Sequence, residues 1–245
     1  MKEPKLLVID AGHSRTKFSL FKNGEGTHFL IPNKPFNWPE EIKSIDNPCE
    51  CLLIGTNQRQ NIRILSHLKG MSSAIEPMVL GKDCRVPIDY DSSENTGSDR
   101  LAQAYGATLF YPNKSILMVS AGSALVIDYI DKQQTFKGGM IGLGLKNYRD
   151  AMQNINPLLV YEKSSENYPA KDTPGAVKCG WYTMVKSTLI ELKNKLNPDV
   201  IICSGGDNNE IKKILPEINV IDNIGAYAMA HALQYIKIKA KLKSN

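Results

Sequence analysis

"LLVIDAGHSRTKFSLF", residues Leu6–Phe21, is the stretch on which the fold turns. Leu6–Ile9 is an unbroken apolar run of the kind that forms a buried core strand. Asp10 ends it, Gly12 opens a tight turn, and the apolar character returns in a second strand over Thr16–Phe21. The turn therefore carries a carboxylate, two hydroxyls (Ser14 and Thr16) and the ammonium of Lys17 at the end of a core strand. "NGEG" at Asn23–Gly26 signals a following hairpin.

The same layout returns once. "SILMVSAGSALVIDYI", Ser115–Ile130, is again an apolar strand, a small A-G-S turn and an apolar strand. "DVIICSGGDNNEIKKIL", Asp199–Leu215, is a third strand–turn–helix, with Asp207 and Glu210 spaced as a capping box. Between these lie a short core strand at Cys51–Gly55, a helix over Asn57–Leu68, and a polar, turn-rich loop over Lys82–Ser98 of the kind that carries function. A helix follows over Asp99–Phe110, with Leu101, Ala104, Tyr105 and Thr108 on one face. "TFKGGMIGLG" at Thr135–Gly144 continues the second sheet. A long helix runs from Pro174 to about Leu196, with Thr173 as its cap, and a last helix starts near Gly225. The repeat places the boundary near Ser115, giving half-domains 1–114 and 115–245 with no linker between them.

The bulk numbers fit this picture. The 245 residues are 42% hydrophobic, enough for one large or two modest cores. The net charge of +5 is mild, and part of it sits in the tail "YIKIKAKLKSN", Tyr235–Asn245, which reads as a solvated basic helix end. No other basic run suggests nucleic-acid binding. Cys49, Cys51, Cys84, Cys179 and Cys203 are odd in number and scattered, which is not a disulfide framework or a zinc-finger spacing. No apolar run approaches a membrane span or a signal peptide. The expectation is a reduced, cytoplasmic protein bound to no membrane. His28, His67 and His231 show no partner pattern and are read as packing residues, and Asp128 as an exposed strand-end acid.

The turns suit a phosphate chain. Glycine gives the close approach, and turn N–H groups with hydroxyl and ammonium donors supply the partners. Asp10 cannot bind a phosphate but can hold Mg²⁺ beside it. The Ala121–Ala124 turn offers a second phosphate hairpin, and Ser204–Gly206 a turn on which adenosine could lie. Two phosphate hairpins and an adenosine turn in this order describe an actin-like ATPase (ribonuclease H-like) duplicated fold of class α/β, two half-domains with mixed sheets. In "TGSDRLAQAYGA", Asp99 and Arg100 open a helix, and two readings stand: an acid complementing the helix dipole with a surface Arg, or a general base beside an anion-binding neighbour.

The ordered set "DAGHSRTK", "GSDR", "SAGSA", "GGMIGLG" and "CSGGD" resembles the type III pantothenate kinase family, over nearly the whole chain. The resemblance implies ATP-dependent phosphorylation of pantothenate, the first step towards coenzyme A. It assigns Asp10, Ala11, Gly12, His13, Ser14, Arg15, Thr16 and Lys17 to the ATP phosphates, with Asp10 near Mg²⁺, and has Ser123 touching ATP. It makes Asp99 the proton acceptor. Tyr90, Gly97, Ser98, Asp99, Arg100 and Thr173 would line the pantothenate site. It further implies a homodimer and a need for K⁺ or NH₄⁺. Two positions depart from the pattern: His13 stands where the family has Asn, and Ser120 where it has the Asp that helps hold the monovalent cation. These departures motivate an alternative, a catalytically weakened regulatory homologue; a kinase for another small hydroxylated acid is a further one.

Overall fold

The computed structural model describes residues 5–45, 49–55, 57–71, 75–83, 85–90, 96–160 and 168–234. Cys84, part of the 82–98 loop and the basic tail 235–245 lie outside the described residues.

The opening stretch forms β1 (Lys5–Ala11) and β2 (Arg15–Lys22), antiparallel, with Asp10 opposite Lys17 and Ala11 opposite Thr16. The Asn23–Gly24 turn, with both residues at positive φ, returns the chain as β3 (Glu25–Pro32). Helix α1 (Glu40–Lys43) leads to β4 (Cys49–Ile54), which pairs with β1 in parallel. Helix α2 (Gln58–Met71) crosses over to the parallel edge strand β5 (Ile75–Val79). This first sheet has the order β3-β2-β1-β4-β5. Helix α3 (Ser98–Phe110) follows.

The second sheet repeats the scheme. Strands β6 (Ile116–Ala121) and β7 (Ala124–Ile130) form an antiparallel pair, flanked by β8 (Phe136–Leu143). Helices α4 (Leu145–Ile155) and α5 (Thr173–Leu196) precede β9 (Val200–Ser204), which is parallel to β6. Helix α6 (Asn208–Ile214), the short parallel strand β10 (Asn219–Val220) and helix α7 (Ile224–Ala232) complete the chain. The order β8-β7-β6-β9-β10 matches the first sheet strand for strand. This is the duplicated actin-like ATPase fold.

The described residues divide into two compact units. The first holds those up to Asn113 with Gln134–Phe136 and those from Asn223 onward; the second holds Lys114–Gln133 and Lys137–Asp222. Helix α7 belongs to the first unit because it packs on α3 and β1. In the first core, Leu7, Ile9, Phe18 and Leu53 of the sheet meet Trp38, Ile42, Ile64 and Leu68. In the second, Leu117, Val119, Ile127 and Ile201 meet Trp181, Val185 and Leu189 of α5.

Three local readings change. Asp172, not Thr173, caps α5: its carboxylate accepts from the Gly175 N–H at 2.6 Å, and Thr173 is the first helical residue. Asp207 occupies the cap position of α6 without a side-chain cap bond, and Glu210 is instead bound by Tyr182 and Lys213. Asp128 is fully buried in β7, opposite Met118, rather than exposed at a strand end.

Candidate active site

In the first unit the turn Gly12–Ser14 joins β1 to β2, and His13, Ser14 and Arg15 are exposed on it. Asp10 and Ala11 end β1, and Lys17 sits across the ladder from Asp10. Burial raises the pKa of Asp10; Lys17 opposes the rise, and the charge of Asp99 adds to it. Asp99 lies in the first turn of α3, beyond the Gly97 cap residue, whose carbonyl accepts from the Arg100 N–H at 3.1 Å. The fold therefore brings Asp10, Lys17 and Asp99 into one electrostatic neighbourhood.

Arg100 and Tyr90 meet a common partner. The Arg100 guanidinium lies 5.5 Å from the centroid of the buried Phe136 ring, and Tyr90 bridges to Phe136. The Phe136 N–H donates to the Asp89 carbonyl at 2.9 Å, tying the described end of the 82–98 loop to the α3 entrance. Tyr90 stays exposed there.

Thr16 has a different setting from its neighbours. It is fully buried, and its hydroxyl donates to Asn33 Oδ1 at 2.8 Å and accepts from Gln60 Nε2 at 3.1 Å. Asn33 in turn donates from Nδ2 to the carbonyls of Gly12 and His13, each at 2.9 Å. Sequence reasoning missed Asn33 and Gln60, since nothing local marks two amides that reach the turn from residues 17 and 44 positions beyond Thr16.

In the second unit, Ser123 lies in the β6–β7 turn. Its carbonyl accepts from the Gly144 N–H at 3.2 Å and from Asn147 Nδ2 at 2.8 Å. Gly205, at φ +113°, follows β9 and lies so close to β6 that a Cβ there would stand 2.1 Å from the Ala121 carbonyl oxygen. The first unit has the same device: Gly55, at φ +128°, follows β4 and leaves only 2.7 Å to the Ala11 carbonyl oxygen. Ser120 holds in β6 the place that Asp10 holds in β1, one residue before the strand's terminal alanine. Opposite Ser120 is Val126 where Lys17 faces Asp10, so the second hairpin lacks this facing charge pair, and its turn, Gly122–Ser123, is one residue shorter than Gly12–Ser14. Thr173 is exposed at the start of α5.

The donor set fits a magnesium ion. Mg²⁺ takes one or two carboxylates and fills its remaining positions with water and phosphate oxygens. Asp10 is a carboxylate with a second, repelling carboxylate nearby, and a divalent cation relieves that repulsion. No cluster of three or more His, Cys, Asp or Glu side chains that could hold a metal ion occurs among the described residues. The described cysteines Cys49, Cys51, Cys179 and Cys203 are buried and free; burial pushes the Cys49 thiol up to about 11 and the Cys203 thiol up to about 12. No helix of the described residues is long and apolar enough to cross a membrane.

Comparison with known proteins follows the same line. The sequence profile of the type III pantothenate kinase family matches residues 6–194. A type III pantothenate kinase of Methylacidiphilum infernorum is 26% identical, covering 97% of this chain and 91% of that protein. One from Cytophaga hutchinsonii is 24% identical, covering 94% and 98%. Among solved structures, a Campylobacter jejuni protein named for the Baf family of transcriptional activators is 20% identical, with a TM-score of 0.64 over 93% of this chain and 97% of that one. It shares the fold.

Proposed function

The chain belongs to the type III pantothenate kinase family, and from that premise we propose that it transfers the terminal phosphoryl group of ATP to the hydroxyl of pantothenate. The product is 4'-phosphopantothenate, and the reaction is the first step of coenzyme A biosynthesis. The observation that carries the reading is the charge set of the first unit: Asp10 facing Lys17 across the ladder, within the field of Asp99.

Phosphoryl transfer asks a protein mainly for positioning and for neutralising charge. In this reading the Gly12–Ser14 turn and Lys17 receive phosphate oxygens. Asp10 would hold Mg²⁺, which supplies charge neutralisation on the phosphates when bound. Asp99 accepts the proton of the pantothenate hydroxyl as its oxygen attacks the terminal phosphorus. A positioned base of this kind typically contributes about 10²–10⁴-fold. Arg100, steadied over Phe136, pairs with the pantothenate carboxylate, a match suited to the guanidinium fork. Tyr90, Gly97 and Ser98 line the same substrate. His13 keeps a ring donor where the family has an amide.

The reading extends to a cytoplasmic homodimer and to a monovalent cation, K⁺ or NH₄⁺, whose hold is weakened because Ser120 brings no charge. We regard 1–114 and 115–245 as the duplicated halves of the sequence.

The test is direct detection of product. Incubated with Mg·ATP and pantothenate, the protein forms a species heavier than pantothenate by one phosphoryl group, seen by mass spectrometry. ATP consumption with no such species, or none at all, would contradict the assignment.

A further inference from the structure

Three successive carbonyls of the β1–β2 turn are held by one residue. Asn33 donates from Nδ2 to Gly12 O and His13 O at 2.9 Å each, and its own N–H donates to Ser14 O at 3.0 Å. A trans peptide is planar, with its C=O and the following N–H pointing in opposite directions. Drawing the carbonyls of 12, 13 and 14 towards Asn33 therefore turns the N–H groups of His13, Ser14 and Arg15 to the opposite side. Successive backbone N–H groups facing one way form a concave anion site.

The Asn33 amide is itself fixed. Its Oδ1 accepts from Thr16 Oγ1 at 2.8 Å and from Gln60 Nε2 at 3.3 Å. Were the amide inverted, its oxygen would face two carbonyl oxygens and its NH₂ would face the Gln60 NH₂. Arg63 Nη1 donates to the Asn33 carbonyl at 3.2 Å, and Asn57 Nδ2 adds a longer bond to Gly12 O at 3.4 Å. Asn33 is 9% exposed, Gln60 7% and Thr16 0%, so this network sits behind the turn rather than on its open face.

We propose that Asn33 is a positioning residue that holds the anion-binding face of the Gly12–Ser14 turn, and that Thr16 acts through Asn33 rather than on the phosphate. The inference rests on the reading that this turn receives nucleotide phosphates. It gives Thr16 a different task from that of Ser14 and Lys17.

The test is titration of the full chain with Mg·ADP and, separately, with pantothenate. It compares the wild type with Asn33→Asp, Thr16→Val, Thr16→Ser and the double variant Asn33→Asp/Thr16→Val. Asn33→Asp keeps the acceptor for Thr16 and Gln60 but turns the donor that holds two carbonyls into a repelling oxygen. It weakens Mg·ADP by about 10- to 100-fold and leaves the pantothenate Kd unchanged. Thr16→Val weakens Mg·ADP by a smaller factor, Thr16→Ser restores it, and the double variant binds no more weakly than Asn33→Asp alone. If Asn33→Asp does not fold, the contrast between Thr16→Val and Thr16→Ser decides. Unchanged Mg·ADP binding in Asn33→Asp overturns the proposal, as does a parallel loss of pantothenate binding and thermal stability. Multiplying effects in the double variant overturn the indirect role of Thr16. A wild type that binds Mg·ADP without phosphorylating pantothenate defeats the kinase reading and leaves the proposal to be judged on the binding ratios. A wild type that binds no nucleotide overturns both.

Discussion

Asp10, at the end of β1, and Asp99, in the first turn of α3, share one electrostatic environment. Burial raises the Asp10 pKa, Lys17 opposes the rise, and the charge of Asp99 adds to it. Two groups 89 positions apart are thus linked by the packing of a single unit, and their coupling gives the reading measurable consequences.

Removing the Asp99 charge lowers the Asp10 pKa, since one of the causes that raises it is gone. Binding of Mg²⁺ through Asp10 needs the carboxylate form and fails on the acid side as pH falls through that pKa. In Asp99→Asn the acid limb of Mg²⁺-dependent ADP binding moves to lower pH. Calorimetric titration across a pH series checks it, and an unmoved limb would separate the two residues.

Asp10→Asn raises the melting temperature at pH 7 while abolishing turnover. The folded pKa of Asp10 lies above its ordinary value of 3.8, so folding favours the protonated form. That favourable contribution is present below the unfolded pKa and lost as pH rises through the folded one. At neutral pH the ionised group therefore works against folding, and a neutral amide relieves it. Melting curves at pH 7 and near pH 3.5 show the gain at the first and its disappearance at the second.

Ser120→Asp steepens the response to monovalent cations. Ser120 is the second unit's counterpart of Asp10, and a hydroxyl there brings no charge to a cation. The wild type shows weak dependence on K⁺, and the variant gains activity when K⁺ replaces Na⁺. Strict K⁺ dependence at ordinary affinity in the wild type would contradict this.

Gly205→Ala destabilises the protein by at least about 2 kcal/mol. The residue sits at φ +113°, and its Cβ would fall 2.1 Å from the Ala121 carbonyl oxygen. Urea unfolding reads the loss as a lower midpoint. Gly24→Ala, at φ +83° with nothing within 4 Å of the added Cβ, lacks the clash and loses less.

Much of this was legible in the sequence where the signal is local. The opening strand, its turn and its echo at Ser115–Ile130 declare themselves through apolar runs broken by one small turn. Their shared sheet order follows from that repeat. The α3 entrance was readable because Asp99 and Arg100 follow a polar, turn-rich stretch and begin a one-faced helix. What escaped depends on distance in the chain. β5 is a short edge strand, and α4, though amphipathic in its spacing, buries only Leu145 and so carries few of the apolar residues that mark a core helix. Asp128 looked exposed because a charged residue near a strand end usually is, yet the close approach of Gly139 seals it in: a Cβ there would lie 2.7 Å from Asp128 Oδ1. His28, read as packing alone, bonds Ser19 at 2.8 Å and the α7 residue Tyr227 at 3.0 Å. His231 likewise reaches Tyr105 of α3 at 3.2 Å. The pairs with Tyr227 and His231 appear only once α7 has returned to the first unit.

The most direct measurement is coupled ATP turnover with and without pantothenate, on the wild type beside Asp99→Asn. The account predicts turnover that requires pantothenate and falls about 10²–10⁴-fold in Asp99→Asn, with Mg·ADP binding retained. Turnover indifferent to pantothenate, or an Asp99→Asn variant as active as the wild type, would contradict it.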